Sequence, residues 1–165
     1  MISTAQALAH LFDLVGALPS EDVPLRHAAG RTLAHTVTAN RDQPPFAASA
    51  MDGYAVCNAA TGASFTVIGE AAAGHAFDGV VSRGTAIRIF TGAPVPKGTD
   101  RVIIQENVTR AGNTITLCED LDTGTHIRPA GSDFINGTMF TGPRVLSASD
   151  IALLASMNIA LVPVT

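Results

Sequence analysis

Three groups of residues in this 165-residue sequence have the types and spacing to do chemistry. The first is Asp52, in Pro44-Pro45-Phe46-Ala47-Ala48-Ser49-Ala50-Met51-Asp52-Gly53-Tyr54-Ala55-Val56. Two prolines stiffen the approach and withhold N–H donors from a strand ladder. Asp52-Gly53 is a tight-turn pair ahead of a strand that starts at Tyr54. Such a turn can hold a carboxylate at the rim of a sheet, within reach of a metal ion or a polar substrate, and it serves equally well as a plain turn. The second group is Thr91-Gly92-Ala93-Pro94, whose hydroxyl, flexible glycine and backbone N–H groups suit an anion-binding nest. It is no P-loop, because Lys97-Gly98-Thr99 has Lys and Gly in the wrong order and lacks a strand-to-helix setting. The third is Arg128 with Asp133. Arg128 can neutralise an oxyanion, and Asp133 can ligate Mg²⁺, a hard cation that takes carboxylate oxygen and retains several waters. A surface Arg and a turn Asp near Gly131 read as well.

A fourth motif is a decoy. Leu121-Asp122-Thr123-Gly124-Thr125 is similar to the nucleophilic-water loop of retroviral-type aspartic proteases, in which two such carboxylates meet around one water. That loop needs a buried apolar strand leading into it, and here Glu119-Asp120 leads in, so the crowded carboxylates suit a solvated turn.

The elements that must position these groups are mainly strands. Phe65–Ile68, Ala86–Phe90, Arg101–Val108 and Thr114–Leu117 are runs rich in β-branched residues, punctuated by Gly, Pro and Asn, and Arg110-Ala111-Gly112-Asn113 is a hairpin turn. Ser3-Thr4-Ala5-Gln6 is a capping box opening a helix with the apolar stripe Leu8, Leu11, Phe12 and Val15, stopped at Gly16. A short helical turn is expected within residues 28–33 and a strand near residues 35–39. Ser147-Ala148-Ser149-Asp150 is a second capping box. It opens a helix with Ile151, Leu154 and Ala155 on one face, ended by Asn158, before a last strand over residues 159–164. Each apolar stripe is too small to be stable alone, so the two helices are expected to pack together in one subdomain.

Composition bounds the function. At 47% hydrophobic and 15% charged residues the sequence is that of a folded globular protein. A net charge of −4 gives no footprint for nucleic acid. Of the ten basic residues only Lys97 is lysine, which suits small anions better than a polyanion. The start is not that of a signal peptide, and the most apolar segment, from Ile151, is broken and too short to span a bilayer, so a cytoplasmic protein is expected. Cys57 and Cys118 are isolated, and His27 and His35 lack partners at metal spacing, which argues against zinc or a disulfide framework.

The wording of four blocks adds a resemblance. Ser49-Ala50-Met51-Asp52-Gly53-Tyr54-Ala55-Val56 resembles the signature of the molybdopterin molybdenumtransferases, the MoeA and gephyrin E-domain family. Arg88-Ile89-Phe90-Thr91-Gly92-Ala93-Pro94-Val95-Pro96-Lys97-Gly98-Thr99-Asp100, then Ile127-Arg128-Pro129-Ala130-Gly131-Ser132-Asp133-Phe134, then Ile151-Ala152-Leu153-Leu154-Ala155-Ser156-Met157-Asn158 follow in the family's order. The resemblance implies a mainly β fold with a few short helices, of bent, bifurcated sheets. A β-rich subdomain over residues 44–142 would be inserted into an α/β subdomain made of 1–43 and 143–165.

It also implies Mg²⁺-dependent transfer of molybdenum from molybdate to adenylated molybdopterin with release of AMP. Asp52 and Asp133 would serve metal binding or polar catalysis, Ser49 would line the substrate site, Thr91 with Gly92 would take an oxyanion, and Arg128 a phosphate. Ser132, Pro129 and Ala130 depart from the family, which usually has an acidic residue before the third-block aspartate and further arginines. The family's pterin-holding α/β domain would follow Thr165. Its site is therefore expected to be completed in a homodimer or by a partner bearing the pterin domain, with the molybdopterin adenylyltransferase a further expected partner. The isolated chain is expected to be inactive. The alternative is a stand-alone binding or dimerisation module that keeps the fold without the reaction.

Overall fold

The computed structural model describes residues 2–16 and 18–165. The chain divides into two compact units, one of residues Met1–Asn40 with Gly137–Thr165 and the other of Arg41–Asn136. Among the described residues there are fourteen strands and two α-helices, a mainly β fold.

The first unit begins with α1 (Thr4–Leu14), β1 (Glu21–Pro24), a 3-10 turn at Leu25–His27, β2 (Thr32–Leu33) and β3 (Val37–Thr38). The single turn expected at residues 28–33 therefore lies just upstream, and Thr32–Leu33 is extended. The inserted unit carries β4 (Ala48–Ser49), β5 (Gly53–Val56), β6 (Ser64–Ala71), β7 (Thr85–Ile89), β8 (Arg101–Ile104), β9 (Val108–Ala111), β10 (Thr114–Leu117) and β11 (Ile127–Arg128). The chain then returns through β12 (Met139–Phe140), β13 (Arg144–Val145), α2 (Ala148–Ser156) and β14 (Leu161–Val164). Residues 137–142 fall in the first unit because β12 pairs with β3, Phe140 opposite Val37.

In the first unit an antiparallel sheet runs β1-β14-β2-β13. Leu33, Leu146, Leu154, Met157, Val162 and Val164 are the largest fully buried side chains of this unit. Both capping boxes form as read: Ser3 with Gln6, and Ser147 with Asp150. α2 ends at Ser156 with Met157 as its C-cap, and Asn158 follows at φ +61°, a left-handed turn that Asn tolerates. Its buried positions are Asp150 and Leu154, with Met157 one turn on, whereas Ala155 faces solvent. The inward stripe is thus i, i+4, i+7 from Asp150, offset from the one expected.

α1 departs further from expectation. It buries none of its residues, and Leu8, Leu11, Phe12 and Val15 are 48, 58, 75 and 74% exposed. The expected packing of α1 on α2 is not what the chain does; the apolar stripe of α1 stays open to solvent.

The second unit is a six-stranded sheet of order β8-β5-β7-β6-β10-β9, antiparallel except for the parallel pair β6–β7. β9 and β10 form the expected hairpin, but the long run expected over Arg101–Val108 is broken by a 3-10 turn at Gln105–Asn107. Alternation along the strands fills both faces. Tyr54, Val56, Phe65, Ile103 and Ile115 form one core cluster, and Ala55, Ile87, Ile89, Ala93 and Val102 form the other. All four residues of β5 are buried, which is why it reads as an unbroken apolar run.

Candidate functional site

The Asp52-Gly53 turn sits at the start of β5. Gly53 is required there: a Cβ would lie 1.9 Å from the Ile103 carbonyl oxygen, so the strands approach too closely for a side chain. With the turn pinned, the Asp52 carboxylate reaches across to the end of β7. Its Oδ1 accepts from the Thr91 backbone N–H at 2.8 Å and from the Thr91 hydroxyl at 2.7 Å. These bonds, the backbone one foremost, hold the Asp52 carboxyl below the usual carboxylate range, and the charge of Arg88 adds to them. Asp52 therefore caps a backbone 39 residues away rather than its own turn.

The loop after β7 turns at Gly92, whose φ of +81° favours glycine. The anion nest expected here has no donor to offer. The Thr91 N–H and hydroxyl are engaged by Asp52, the Gly92 N–H by the Ser49 carbonyl at 2.8 Å, and the Ala93 N–H by the Phe90 carbonyl at 3.0 Å. Ser49 is likewise turned inward. It is buried, and its hydroxyl donates to the Met51 carbonyl at 2.6 Å. Thr91, Gly92 and Ser49 shape the site, then, more than they donate to a ligand.

β4 and β11 bring in the third block, with Ile127 opposite Ser49 and Arg128 opposite Ala48. Arg128 donates through Nε to the Ser132 hydroxyl at 3.2 Å and through Nη2 to Asp133 Oδ1. Backbone bonds from Asp133 N–H to the Gln43 carbonyl and from Gly131 N–H to the Pro44 carbonyl, both 2.9 Å, fasten this loop to the proline segment. A guanidinium has five N–H donors, so Arg128 is pre-oriented by Asp133 and Ser132 with donors to spare.

These segments line a cleft of about 460 Å³, with Pro45, Phe46, Ser49, Thr91, Gly92 and Arg128 in its wall. Four of the six expected site residues line it. Asp52 and Asp133 do not. Each stands one residue behind the lining, Asp52 bonded to Thr91 and Asp133 to Arg128.

Asp52 and Asp133 do not by themselves make an all-protein cage for Mg²⁺. Among the described residues no three His, Cys, Asp or Glu side chains gather to hold a metal, and one oxygen of each expected ligand is already engaged.

Sequence reasoning missed Arg88, Gln105 and the partners that Asp122 finds in His126 and Arg101. Arg88 lies opposite Tyr54 across β5 and β7, so cross-strand register was the available signal. The Asp122 carboxylate lies 2.9 Å from His126 Nε2, accepts from the Gly124 N–H at 2.8 Å, and pairs with Arg101 at 3.2 Å. The His126 bond above all, then the Gly124 N–H, keeps its carboxyl below the usual range. The decoy Asp122-Thr123-Gly124, read from the sequence as a solvated turn, is thus a closed local clasp, with its carboxylate shared among three neighbours and no strand leading in. Its effect is to set the residues leading into β11: the His126 carbonyl accepts from Ala50 N–H and the Thr125 carbonyl from Val102 N–H, both at 2.9 Å.

Comparison with known proteins agrees with these blocks. A family model described as the MoeA N-terminal region (domain I and II) matches residues 2–158. The chain is 35% identical over 158 residues to a molybdopterin molybdenumtransferase of Nostoc sp., which covers 88% of this chain and 36% of that protein. With the molybdopterin molybdenumtransferase of Haemophilus influenzae the identity is 38% over 145 residues, covering 86% and 36%. The crystal structure of a molybdopterin biosynthesis MoeA protein from Pyrococcus horikoshii superposes with a TM-score of 0.87 at 35% identity, over 98% of this chain and 45% of that one. The chain thus spans a little over a third of the length of these curated relatives. On the match over nearly its whole length, the chain belongs to the MoeA family, molybdopterin molybdenumtransferases of molybdenum cofactor biosynthesis, and represents the N-terminal region of that family.

Proposed function

We propose that this chain forms one wall of a composite site for inserting molybdenum from molybdate into adenylated molybdopterin, with release of AMP. The observation that carries the reading is the cleft itself. Residues from three separate blocks, Ser49, Thr91-Gly92 and Arg128, converge on it, with Asp52 and Asp133 directly behind them. Arg128, held by Asp133, is the cationic group for a phosphate or molybdate oxygen. Asp52 keeps its charge well below neutral pH, and one oxygen remains beyond the pair of bonds to Thr91. That leaves a fixed carboxylate for polar catalysis. Mg²⁺, which prefers substrate phosphates and water over an all-protein cage, belongs with the nucleotide rather than with this wall, and no step is routed through it.

The opposite wall, which holds the pterin, comes from a domain outside these residues, on the same polypeptide, a second subunit of a homodimer or a separate partner. The molybdopterin adenylyltransferase is the natural donor of the substrate, and the cytoplasm the natural compartment. Among the described residues no helix is long and apolar enough to cross a membrane.

The test places this chain in a complete molybdenumtransferase, as the N-terminal region of a chimera with the Haemophilus influenzae relative. Arg128→Ala and Asp52→Ala are each expected to lower AMP release by about a hundredfold, the scale of losing a charged group at a reacting centre. The 165-residue chain alone is expected to release none above background. Normal insertion by both variants would overturn the reading and leave a binding or dimerisation module. Robust AMP release by the chain alone would overturn its composite nature.

A further inference from the structure

Arg88 makes two side-chain hydrogen bonds and lies against two aromatic rings, and the reading above uses only its charge. Its guanidinium carbon lies 5.2 Å from the centroid of the Tyr54 ring and 4.7 Å from that of Phe90, so it interacts with two aromatic faces. Nη1 donates to the Gly53 carbonyl at 3.1 Å and Nη2 to Gln105 Oε1 at 2.7 Å. Gln105 in turn donates its backbone N–H to the Asp52 carbonyl at 3.1 Å. Both carbonyls of the Asp52-Gly53 turn are therefore held in one closed circuit through Arg88 and Gln105.

No carboxylate lies within ion-pair distance of Arg88 among the described residues. The charge of Arg88 is felt at Asp52, but outside ion-pair distance, and what holds the guanidinium in place is the pair of rings and the two carbonyl-type acceptors. The position of Arg88 on the strand says what this hold does. Arg88 and Thr91 are three residues apart at the end of β7, and Phe90, whose ring faces Arg88, immediately precedes Thr91. One strand end thus grips the Asp52-Gly53 turn through Arg88 and receives the Asp52 carboxylate through Thr91. We propose that Arg88, with Gln105, is the positioning residue that sets the Asp52 turn against Thr91 and so fixes the direction of the Asp52 carboxylate at the cleft. This rests on the functional reading only in assigning Asp52 to the site; the geometric statement stands apart from it.

Lysine is not an equivalent at such a position. It keeps the charge but loses the planar fork that bonds two acceptors while lying against a ring. The test is amide hydrogen exchange followed by NMR in the 165-residue chain, comparing Arg88→Lys, Arg88→Met and Gln105→Ala with the parent. Asp52→Asn serves as the reference for a weakened Asp52–Thr91 contact. The Thr91 amide is expected to lose about tenfold in protection in Arg88→Lys and in Arg88→Met, the scale of one hydrogen bond, with a smaller loss in Gln105→Ala. The amides of β10, two strands away from β7, are expected to keep theirs. Arg88→Met preserves the stem against the rings, and Gln105 is exposed, so a fold failure in one variant leaves the others to decide.

Unchanged Thr91 protection in the folded variants would overturn the proposal. Equal loss across β10 would also overturn it, since it would make Arg88 a general brace. In the chimeric enzyme Arg88→Lys is expected to lower kcat with KM for molybdate unchanged. If Thr91 protection falls while kcat holds, Arg88 still positions Asp52, and it is the assignment of Asp52 to the site that fails.

Discussion

The two helices of the first unit begin alike and end up in opposite circumstances. α1 and α2 each open on a serine N-cap whose side chain accepts from the third helical N–H, with the third residue bonding back. α2 carries Leu154 fully buried and runs into the buried residues Met157 and Ile159. α1 exposes its whole apolar stripe, from Leu8 to Val15. Capping signals thus write a helix from a few local hydrogen bonds, but they carry no information about what, if anything, covers it. Most helical stability comes from covering an apolar face, so the two helices should respond very differently to the same insult.

The largest difference is expected from side-chain truncation. Leu154→Ala removes a fully buried side chain and should cost about 2–5 kcal/mol, whereas Phe12→Ala should change the stability of the chain by less than about 0.5 kcal/mol. Urea denaturation of both variants measures the contrast. A cost at Phe12 as large as that at Leu154 would break it, and would mean that α1 is covered in solution.

Cap removal should give a smaller difference of the same sign. Ser147→Ala takes two bonds from Asp150, which is itself buried and paired with Arg144 at 3.0 Å, and should cost about 1–2 kcal/mol. Ser3→Ala leaves only solvent-exposed groups and should cost about 0.5 kcal/mol in stability, read mainly as fraying of α1 by hydrogen exchange. Equal global costs would show that the two caps are structurally equivalent after all.

The smallest effect separates the caps by pH. The Ser147 N–H and then its hydroxyl, with Arg144 beyond, hold the Asp150 carboxyl below its ordinary value. Its cap partner role is charged, whereas Gln6 in α1 has no proton to gain. A depressed carboxylate contributes stability above the unfolded value near 4, and that stability is lost as pH falls through the lower folded value. The chain should therefore hold its urea midpoint from pH 7 to about 5 and lose stability progressively below about pH 4. Asp150→Asn should flatten part of that fall and Gln6→Glu should leave the α2 contribution unchanged. An Asp150→Asn profile parallel to that of the parent would remove Asp150 from the acid response, leaving it to the other depressed carboxylates, Asp52 and Asp122.

Much of the fold was legible because it is written in local patterns. β10 at Thr114–Leu117 and the hairpin before it follow from alternation and a Gly-Asn turn, and Asn158 ends α2 where a left-handed residue was needed. Long-range pairing was less legible. Arg101–Val108 reads as one strand because Val, Ile and Ile precede a polar stretch with no Gly or Pro, yet Gln105–Asn107 turns to let the Gln105 N–H reach the Asp52 carbonyl. Residues 137–142 gave no local sign that Phe140 would pair with Val37.

The candidate site divides along the same line. Its membership was readable in motif wording, since Ser49, Thr91, Gly92 and Arg128 line one cleft. The role of each was not. Whether a backbone N–H is free to bind an anion depends on what else it meets, and at Thr91 and Gly92 it meets Asp52 and the Ser49 carbonyl.

The sequence alone determined the family, the predominance of strands and both helix starts, because each is set by residues within a few positions of one another. The tertiary structure alone decided that α1 is uncovered, that Asp122 closes on His126, and that Asp52 caps Thr91 rather than its own turn. Ser147 with Asp150 and Thr91 with Asp52 are the same chemistry, a hydroxyl and an N–H bonded to a carboxylate. The first pair is three residues apart and the second 39. Only the folding of β5 against β7 brings the second together, and that register is fixed by two buried faces at once, which no local stretch of the chain encodes.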